Sequence, residues 1–373
     1  GRESYFGREM MLGYEFWKES VNDEGGVNIC GKKFDVDITY SDTQSDNSQV
    51  AALAESLAGS GVKFFLGTYN SPANGALATI AQSRKIPLVT SAGAARALYE
   101  QGNSWLFGIM TPATEYLKGS LEFAALPSSH VRSVAIIARN APAPLEDAIA
   151  ARQYAMSLGL GVPNEIFVFP AADADFSMLI GEVKSYSPDF VLFAGDLTDA
   201  EAFVKEAALQ SFHPRGFSFS VGHSLPRFAS PQGVGRLASF MLGSTQWSPE
   251  SKLSSSDRYQ GSEHFARIFW DRYFTPAHYL PAGAVASALV LEHAFKKVCD
   301  LDPVVVRDEI KKSLLDSFYG VISFNERGLN IGKPVYTIQL QPTAADKTKM
   351  KDVILHPFAS GVAIWPFPGF SAR

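Results

Sequence analysis

The sequence predicts an α/β protein built on doubly wound parallel sheets, and three observations carry that expectation. Short apolar runs, such as residues 134–138 and 190–193, recur along the chain. Amphipathic stretches of helical period lie between them. The two kinds alternate with little else until about Asp257. Strands that are apolar along their whole length belong to parallel sheets covered on both faces. Regular strand–helix alternation then selects the doubly wound arrangement.

Taken in order, Met10, Tyr14, Trp17 and Val21 share one helix face, and Glu24-Gly25-Gly26 stops that helix. Residues 34–38 alternate like a half-exposed strand. Ser48 precedes a helix carrying Val50, Leu53 and Leu57, closed by Gly59 and Gly61. Strands follow at 62–66, 87–90 and 105–108, then at 134–138, 165–169, 190–193 and 217–220, with helices between them. Beyond Asp257 the pattern changes to helices over 265–273, 284–298 and 304–315, and strands close the chain near 320–324 and 334–341.

Composition bounds the function. At 373 residues and about 150 residues per domain, two or three domains are expected. A net charge of -5 argues against nucleic acid, because phosphate binding needs a basic surface. With 27 Phe and 5 Trp there is ample material for a core. No apolar run approaches the ~20 residues that span a bilayer. The chain starts at Gly1 rather than Met, so a processed form or fragment with its leader removed is expected. Cys30 and Cys299 allow one disulfide or two free thiols, and the residues leave that choice open.

Ligands of open α/β sheets sit beyond the carboxyl ends of strands, beside helix N-termini. Gly67-Thr68-Tyr69-Asn70-Ser71-Pro72 is one such place. Ser71 reads there as N-cap and Pro72 as N1. The amides of Ala73 and Asn74 are then expected to face an anion. Ser91-Ala92-Gly93-Ala94 is a second, where small residues let a ligand approach the main chain.

These stretches, in their order, resemble the type I periplasmic binding proteins, specifically the branched-chain amino acid (leucine/isoleucine/valine-binding) family of ABC-transporter receptors. The likeness is carried by the opening helix with its Asn22-Asp-Glu-Gly-Gly26 turn, Asp42-Thr-Gln-Ser-Asp46, Gly67 to Pro72, and Ile86-Pro-Leu-Val-Thr-Ser-Ala92. Asp175-Phe176-Ser177, Phe318-Tyr-Gly320 and Phe324-Asn-Glu-Arg-Gly328 continue it. It implies two Rossmann-like lobes, 1–111 plus 248–326 and 112–247 plus 327–373, joined by a three-segment hinge. The crossings are expected near 109–112, 246–249 and 325–328, with ligand in the cleft and hinge closure burying it. The family opens with a strand ahead of the Gly1 to Gly7 loop, so this chain is expected to be truncated by one strand.

The resemblance also implies site residues. Ser71 falls where the family holds a ligand carboxylate by a hydroxyl, and Ala92, Gly93 and Ala94 fall where backbone groups hold it. Ala94 lacks the hydroxyl that some members carry there. Tyr69 and Asn70 flank Ser71. In the second lobe the usual aromatic residue is absent from the loop Arg139-Asn140-Ala141-Pro142, and the usual acid is replaced by Val221-Gly-His223-Ser224. Asp196 and His223 are left to supply polar contacts, with Asn140 beside them. A carboxylate-bearing ligand is therefore favoured over one that relies on its ammonium group.

Other motifs read as structural. Gly222-His-Ser224-Leu-Pro226 puts proline where a nucleophile elbow needs glycine, so a hydrolase built on Ser224 is a remote alternative. Asp35, Asp37, Asp42 and Asp46 lack the glycine and distal glutamate of a calcium loop. No cofactor or metal is expected. Trp247 reads as hinge packing. The reading is a secreted or periplasmic receptor, a monomer or weak dimer, that binds a small organic ligand and hands it to a membrane permease. A sensory ectodomain of the same fold is the alternative.

Overall fold

The computed structural model describes residues 1–172, 174–357 and 361–370. The chain runs α1 (Ser4–Asp23), β1 (Val27–Ile29), β2 (Lys32–Phe34), α2 (Val50–Gly59), β3 (Phe65–Leu66), α3 (Ser71–Arg84), β4 (Leu88–Thr90), α4 (Arg96–Tyr99) and β5 (Leu106–Gly108). It continues through α5 (Lys118–Ala125), β6 (Val134–Arg139), α6 (Pro142–Ser157), β7 (Phe167–Phe169), α7 (Phe176–Tyr186), β8 (Phe190–Ala194), α8 (Leu197–Leu209), β9 (Gly216–Phe219) and β10 (Leu242–Thr245). Last come α9 (Ser262–Tyr273), α10 (Tyr279–Val298), α11 (Pro303–Ile310), β11 (Leu314–Leu315), β12 (Ile322–Ser323), β13 (Tyr336–Pro342) and β14 (Met350–His356).

These elements form two compact units. Unit 1 is Gly1–Pro112 with Lys252–Pro334, and unit 2 is Ala113–Ser251 with the chain from Val335 on. In unit 1 the strands β3, β4 and β5 lie side by side and parallel. The α2 and α3 helices pack on this sheet through Val50, Ala54, Leu77, Ala78 and Ala81. The α1 helix buries Phe6, Met10, Tyr14, Trp17 and Val21, the face that its periodicity predicts. It lies against α10, where the Trp17 indole donates to the buried Glu292 at 2.8 Å. Arg258 and Lys296 also reach Glu292, at 2.5 and 2.6 Å, so that buried carboxylate is paired, as burial of a charge requires.

Cys30 and Cys299 form a disulfide with Cα atoms 5.5 Å apart. It ties the turn after β1 to the residue that ends α10. The alternation at 34–38 does not continue as a strand: β2 ends at Phe34, paired antiparallel to β1, and residues 35–40 join no ladder. The predicted helix over 304–315 stops at Ile310, where the chain turns to pair β11 with β12.

Unit 2 carries a seven-stranded sheet in the order β14-β13-β10-β9-β8-β6-β7. From β7 to β10 neighbours are parallel, whereas β13 and β14 join antiparallel. One face is covered by α5 and α6 through Leu121, Ala124, Ala148, Ala151 and Ala155. On β8 and β9 the rings of Phe193 and Phe219 meet Phe203 of α8. Neither β10 nor β14 was foreseen, because Leu242-Gly-Ser-Thr245 is too short and too polar to stand out from a loop. No helix among the described residues is long and apolar enough to cross a membrane.

Candidate ligand-binding site

The first group of predicted residues lies at the carboxyl edge of the unit-1 sheet, on the loops after β3 and β4. Asn70, not Ser71, is the N-cap of α3: its Oδ1 accepts the Ala73 amide at 2.7 Å. The Asn74 amide donates to the Asn70 carbonyl at 3.0 Å. The two amides expected to face an anion are therefore occupied by the cap itself. Asn and Ser are near-equal N-caps, so cap preference alone does not separate them; with Asn70 as cap, Pro72 stands at the second helical position. The Asn70 amide nitrogen also donates to the Glu3 carboxylate at 2.9 and 2.7 Å.

Freed from capping, Ser71 does something else. Its buried hydroxyl accepts the Ala95 amide at 3.1 Å, which ties the loop after β3 to the loop after β4. The hydroxyl hydrogen has no acceptor among the described residues. Ala92 is pinned by Thr90, whose hydroxyl donates to the Ala92 carbonyl at 2.9 Å. Gly93 adopts φ +78, a conformation that favours glycine, and its carbonyl accepts the Tyr99 hydroxyl at 3.2 Å. The amides of Gly93 and Ala94 find no acceptor among the described residues. Tyr14 braces both loops from α1: its hydroxyl donates to the Gly67 carbonyl at 3.1 Å and lies 3.3 Å from the Ser91 hydroxyl. Tyr69 stacks on Phe6, ring centroids 4.0 Å apart and planes 2° from parallel. That stacking is packing within unit 1.

The loops therefore offer one hydroxyl and two amides among small residues, a set that suits a carboxylate. Carboxylate oxygens accept hydrogen bonds and donate none when ionised, so a hydroxyl hydrogen and two amides are groups that can serve one.

In unit 2 the predicted residues do not converge. Asp196 is the N-cap of α8 in a reciprocal capping box with Asp199, the Asp196 amide donating to Asp199 Oδ2 at 3.0 Å. Arg139, at the end of β6, forms ion pairs with Asp196 and with Asp199, the latter at 3.5 Å. Asp196 is thus already engaged by a guanidinium. Asn140 is exposed, its amide donating to the Phe169 carbonyl at 2.8 Å. His223 is fully buried beside Phe219, over Gly243, where a Cβ would lie 2.4 Å from its ring. Among the described residues neither ring nitrogen has a hydrogen-bond partner, and burial pulls its basicity down to about 3. It is a neutral packing group, not the polar contact expected. Trp247, a residue of unit 2, is buried. Among the described residues no cluster of His, Cys, Asp and Glu is arranged to hold a metal.

Sequence reasoning passed over Asp147 on α6. It is buried, and among the described residues neither carboxyl oxygen makes a hydrogen bond of good geometry; burial pushes it well above the usual carboxylate range, with the Leu117 amide and the Ser220 hydroxyl only partly opposing the shift. One acid on a helix leaves no signal in a sequence that would reveal this.

Parallel sheets of this topology, with donors gathered on adjacent strand-end loops, define a class of small-molecule binding proteins. Comparison with known proteins gives the family: residues 1–347 match the periplasmic binding protein family model, and the chain belongs to that family. It is a family of binding proteins rather than enzymes, in keeping with the interrupted elbow at Ser224. The chain is similar to the Leu/Ile/Val-binding protein homolog 1 of Brucella suis, 24% identical over 332 residues that cover 88% of this chain and 84% of that one. Its fold matches the branched-chain amino acid transporter substrate binding protein LivJ of Streptococcus pneumoniae in complex with isoleucine. That match has a TM-score of 0.80 at 18% identity and covers 96% and 97% of the two chains. A solute binding protein of an ABC transporter from Rhodopseudomonas palustris, in complex with 3,4-dihydroxybenzoic acid, matches with a TM-score of 0.79 at 15% identity, covering 97% and 95%.

Proposed function

We propose that this chain is the extracytoplasmic solute receptor of an ABC importer and that it captures a small carboxylate-bearing organic molecule, an amino acid or a related compound. The observation that carries the reading is the bond from the Ala95 amide to the Ser71 hydroxyl. It joins the two strand-end loops that carry Ser71, Gly93 and Ala94, and in this reading those three donors are assigned to one anionic group. Ala92, Tyr69 and Asn70 shape and brace those loops. The engagement of Asp196 by Arg139 supports a ligand recognised through its carboxylate, since the acid that would meet an ammonium group is already paired. The Cys30–Cys299 disulfide supports a periplasmic or secreted location, because such bonds persist in oxidising compartments. The similar proteins crystallised with isoleucine and with 3,4-dihydroxybenzoic acid share a carboxyl group, which agrees with this chemistry.

The test is calorimetric titration of wild type and Ser71→Ala with isoleucine and with 3,4-dihydroxybenzoate. Loss of a hydrogen bond to a charged group weakens binding by roughly tenfold or more. Equal affinities in the two proteins remove Ser71 from the site.

A further inference from the structure

In unit 2 the apolar core over β6 and β8 gives way to a polar stretch over β9 and β10. The Ser218 hydroxyl of β9 donates to the Ser120 hydroxyl of α5 at 2.7 Å. Alternation along the strand turns Ser220, just past β9, toward the same face. The Ser220 carbonyl accepts the Ser244 hydroxyl of β10. Gln246, which follows β10, is hydrogen-bonded through its side chain to the Tyr116 hydroxyl. All of these residues are buried.

Asp147 of α6 reaches into this stretch. Its carboxyl meets the Leu117 amide and the Ser220 hydroxyl, neither of them in good hydrogen-bond geometry, and Asp147 is only 1% exposed. The α6 helix packs against Ala113–Glu115. The chain first enters unit 2 at Ala113 and leaves it at Ser251, so Tyr116 and Leu117 lie just inside the entry and Gln246 just before the exit. One buried acid therefore sits where both segments are rooted.

The charged groups around it do not neutralise it. Glu115 is a second acid and raises Asp147 further. On α5, Lys118 pairs with Glu115 at 2.7 Å, and Glu122 is taken by Tyr154 and His356 at 2.7 and 2.8 Å. On β6, Arg139 is paired with Asp196 and Asp199. The β8 strand is wholly apolar. On α6 itself, Arg152 donates to the Pro163 and Asn164 carbonyls, and Glu146 is another acid. His223 lies over Gly243, whose place in β10 points to the opposite face from Ser244.

We propose that Asp147 is a pH-sensitive clasp on the segments by which the chain enters and leaves unit 2: protonated, it holds α6 against residues 113–117, and loss of its proton opens that contact while the rest of the unit stays folded. Ionised in place, the carboxyl is a buried charge without a counter-ion, which is costly. Parting residues 113–117 from α6 brings water to it and restores its ordinary value of about 3.9. Opening therefore releases a proton. It becomes easier as pH rises from that ordinary value toward the raised folded one. The closed apolar core over β6 and β8 confines the opening to the polar stretch.

The experiment is amide hydrogen exchange of the full chain at pH 5, 6 and 7, with each rate divided by that of an unstructured chain at the same pH. The proteins are wild type, Asp147→Asn and Asp147→Leu. Protection over residues 113–121 is expected to fall about tenfold per pH unit in wild type and to change less than about twofold across the range in Asp147→Asn. Residues 190–194 of β8 should keep their protection throughout. Asp147→Leu, which also has no proton to lose, gives the same flat profile should the asparagine variant fail to fold. A folded variant with the wild-type slope, or a wild type with no slope, overturns the role of Asp147. A wild-type loss that is equal in β8 overturns the clasp, because the unit then opens as a whole.

Discussion

Asp147 and His223 are both buried in unit 2, and burial moves them in opposite directions along the pH axis. Burial raises the Asp147 carboxyl in the fold above the ordinary value of about 3.9 at which it ionises when the chain unfolds. The folded state therefore binds more protons above that value, and its stability falls as pH rises from about 4 toward the raised folded value. Asp147→Asn, which keeps the shape and removes the ionisation, is expected to be more stable than wild type at pH 8. The gap should close near pH 4 in urea unfolding, and parallel profiles would contradict the assignment. His223 runs the other way. It stays neutral in the fold down to about 3 but takes up a proton near 6.5 when unfolded. Its contribution is complete above pH 6.5 and is lost as pH falls through that window, on the order of a few kcal/mol in all. His223→Leu is expected to gain stability relative to wild type as pH falls from 7 to 4, and a constant difference would sink the idea. Neither residue's burial was legible in the sequence: each is a lone polar residue whose neighbours in the chain set no pattern that marks it as buried.

Elements show more plainly what local sequence decides. The helix α1 and the continuous strands β6 and β8 follow directly from periodicity, because the face or run that a sequence makes apolar is the one buried. The ends of elements are less legible. At α3 the sequence offers two adjacent caps, and Asn70 is selected because its side chain serves the Ala73 amide and the Glu3 carboxylate together. Asn70→Ala is expected to cost about 1 kcal/mol of stability and to loosen the loop that carries Ser71, measured by chemical unfolding and by hydrogen exchange at Ala73. Unchanged exchange there would contradict the capping role. The turn after β1 and the end of α10 are likewise joined by a bond that no local pattern announces, since Cys30 and Cys299 lie 269 residues apart. Replacing both with Ser is expected to lower stability by about 2–4 kcal/mol. Wild type under reducing conditions should match the variant.

For the whole molecule, the α/β class and the wound parallel sheets were readable from alternation alone, and the family followed from an ordered set of short stretches. The strand-end loops of unit 1 were readable only in outline. Which loop residues donate, and which are spent on capping or on one another, depends on distances such as that from Ser71 to Ala95, which spacing does not contain. The second-unit contacts were misplaced because a strand-end acid and a strand-end histidine look the same in sequence whether they are free, ion-paired or buried. What these distances support is a receptor that recognises its ligand first through a carboxylate. The most direct measurement is mass spectrometry of the small molecules released on denaturing protein purified natively from its own source. The account predicts a compound carrying a free carboxyl group, and that adding it back raises the melting temperature of the emptied protein. Release of a neutral sugar or a polyamine, with no stabilisation by any carboxylate, would contradict it.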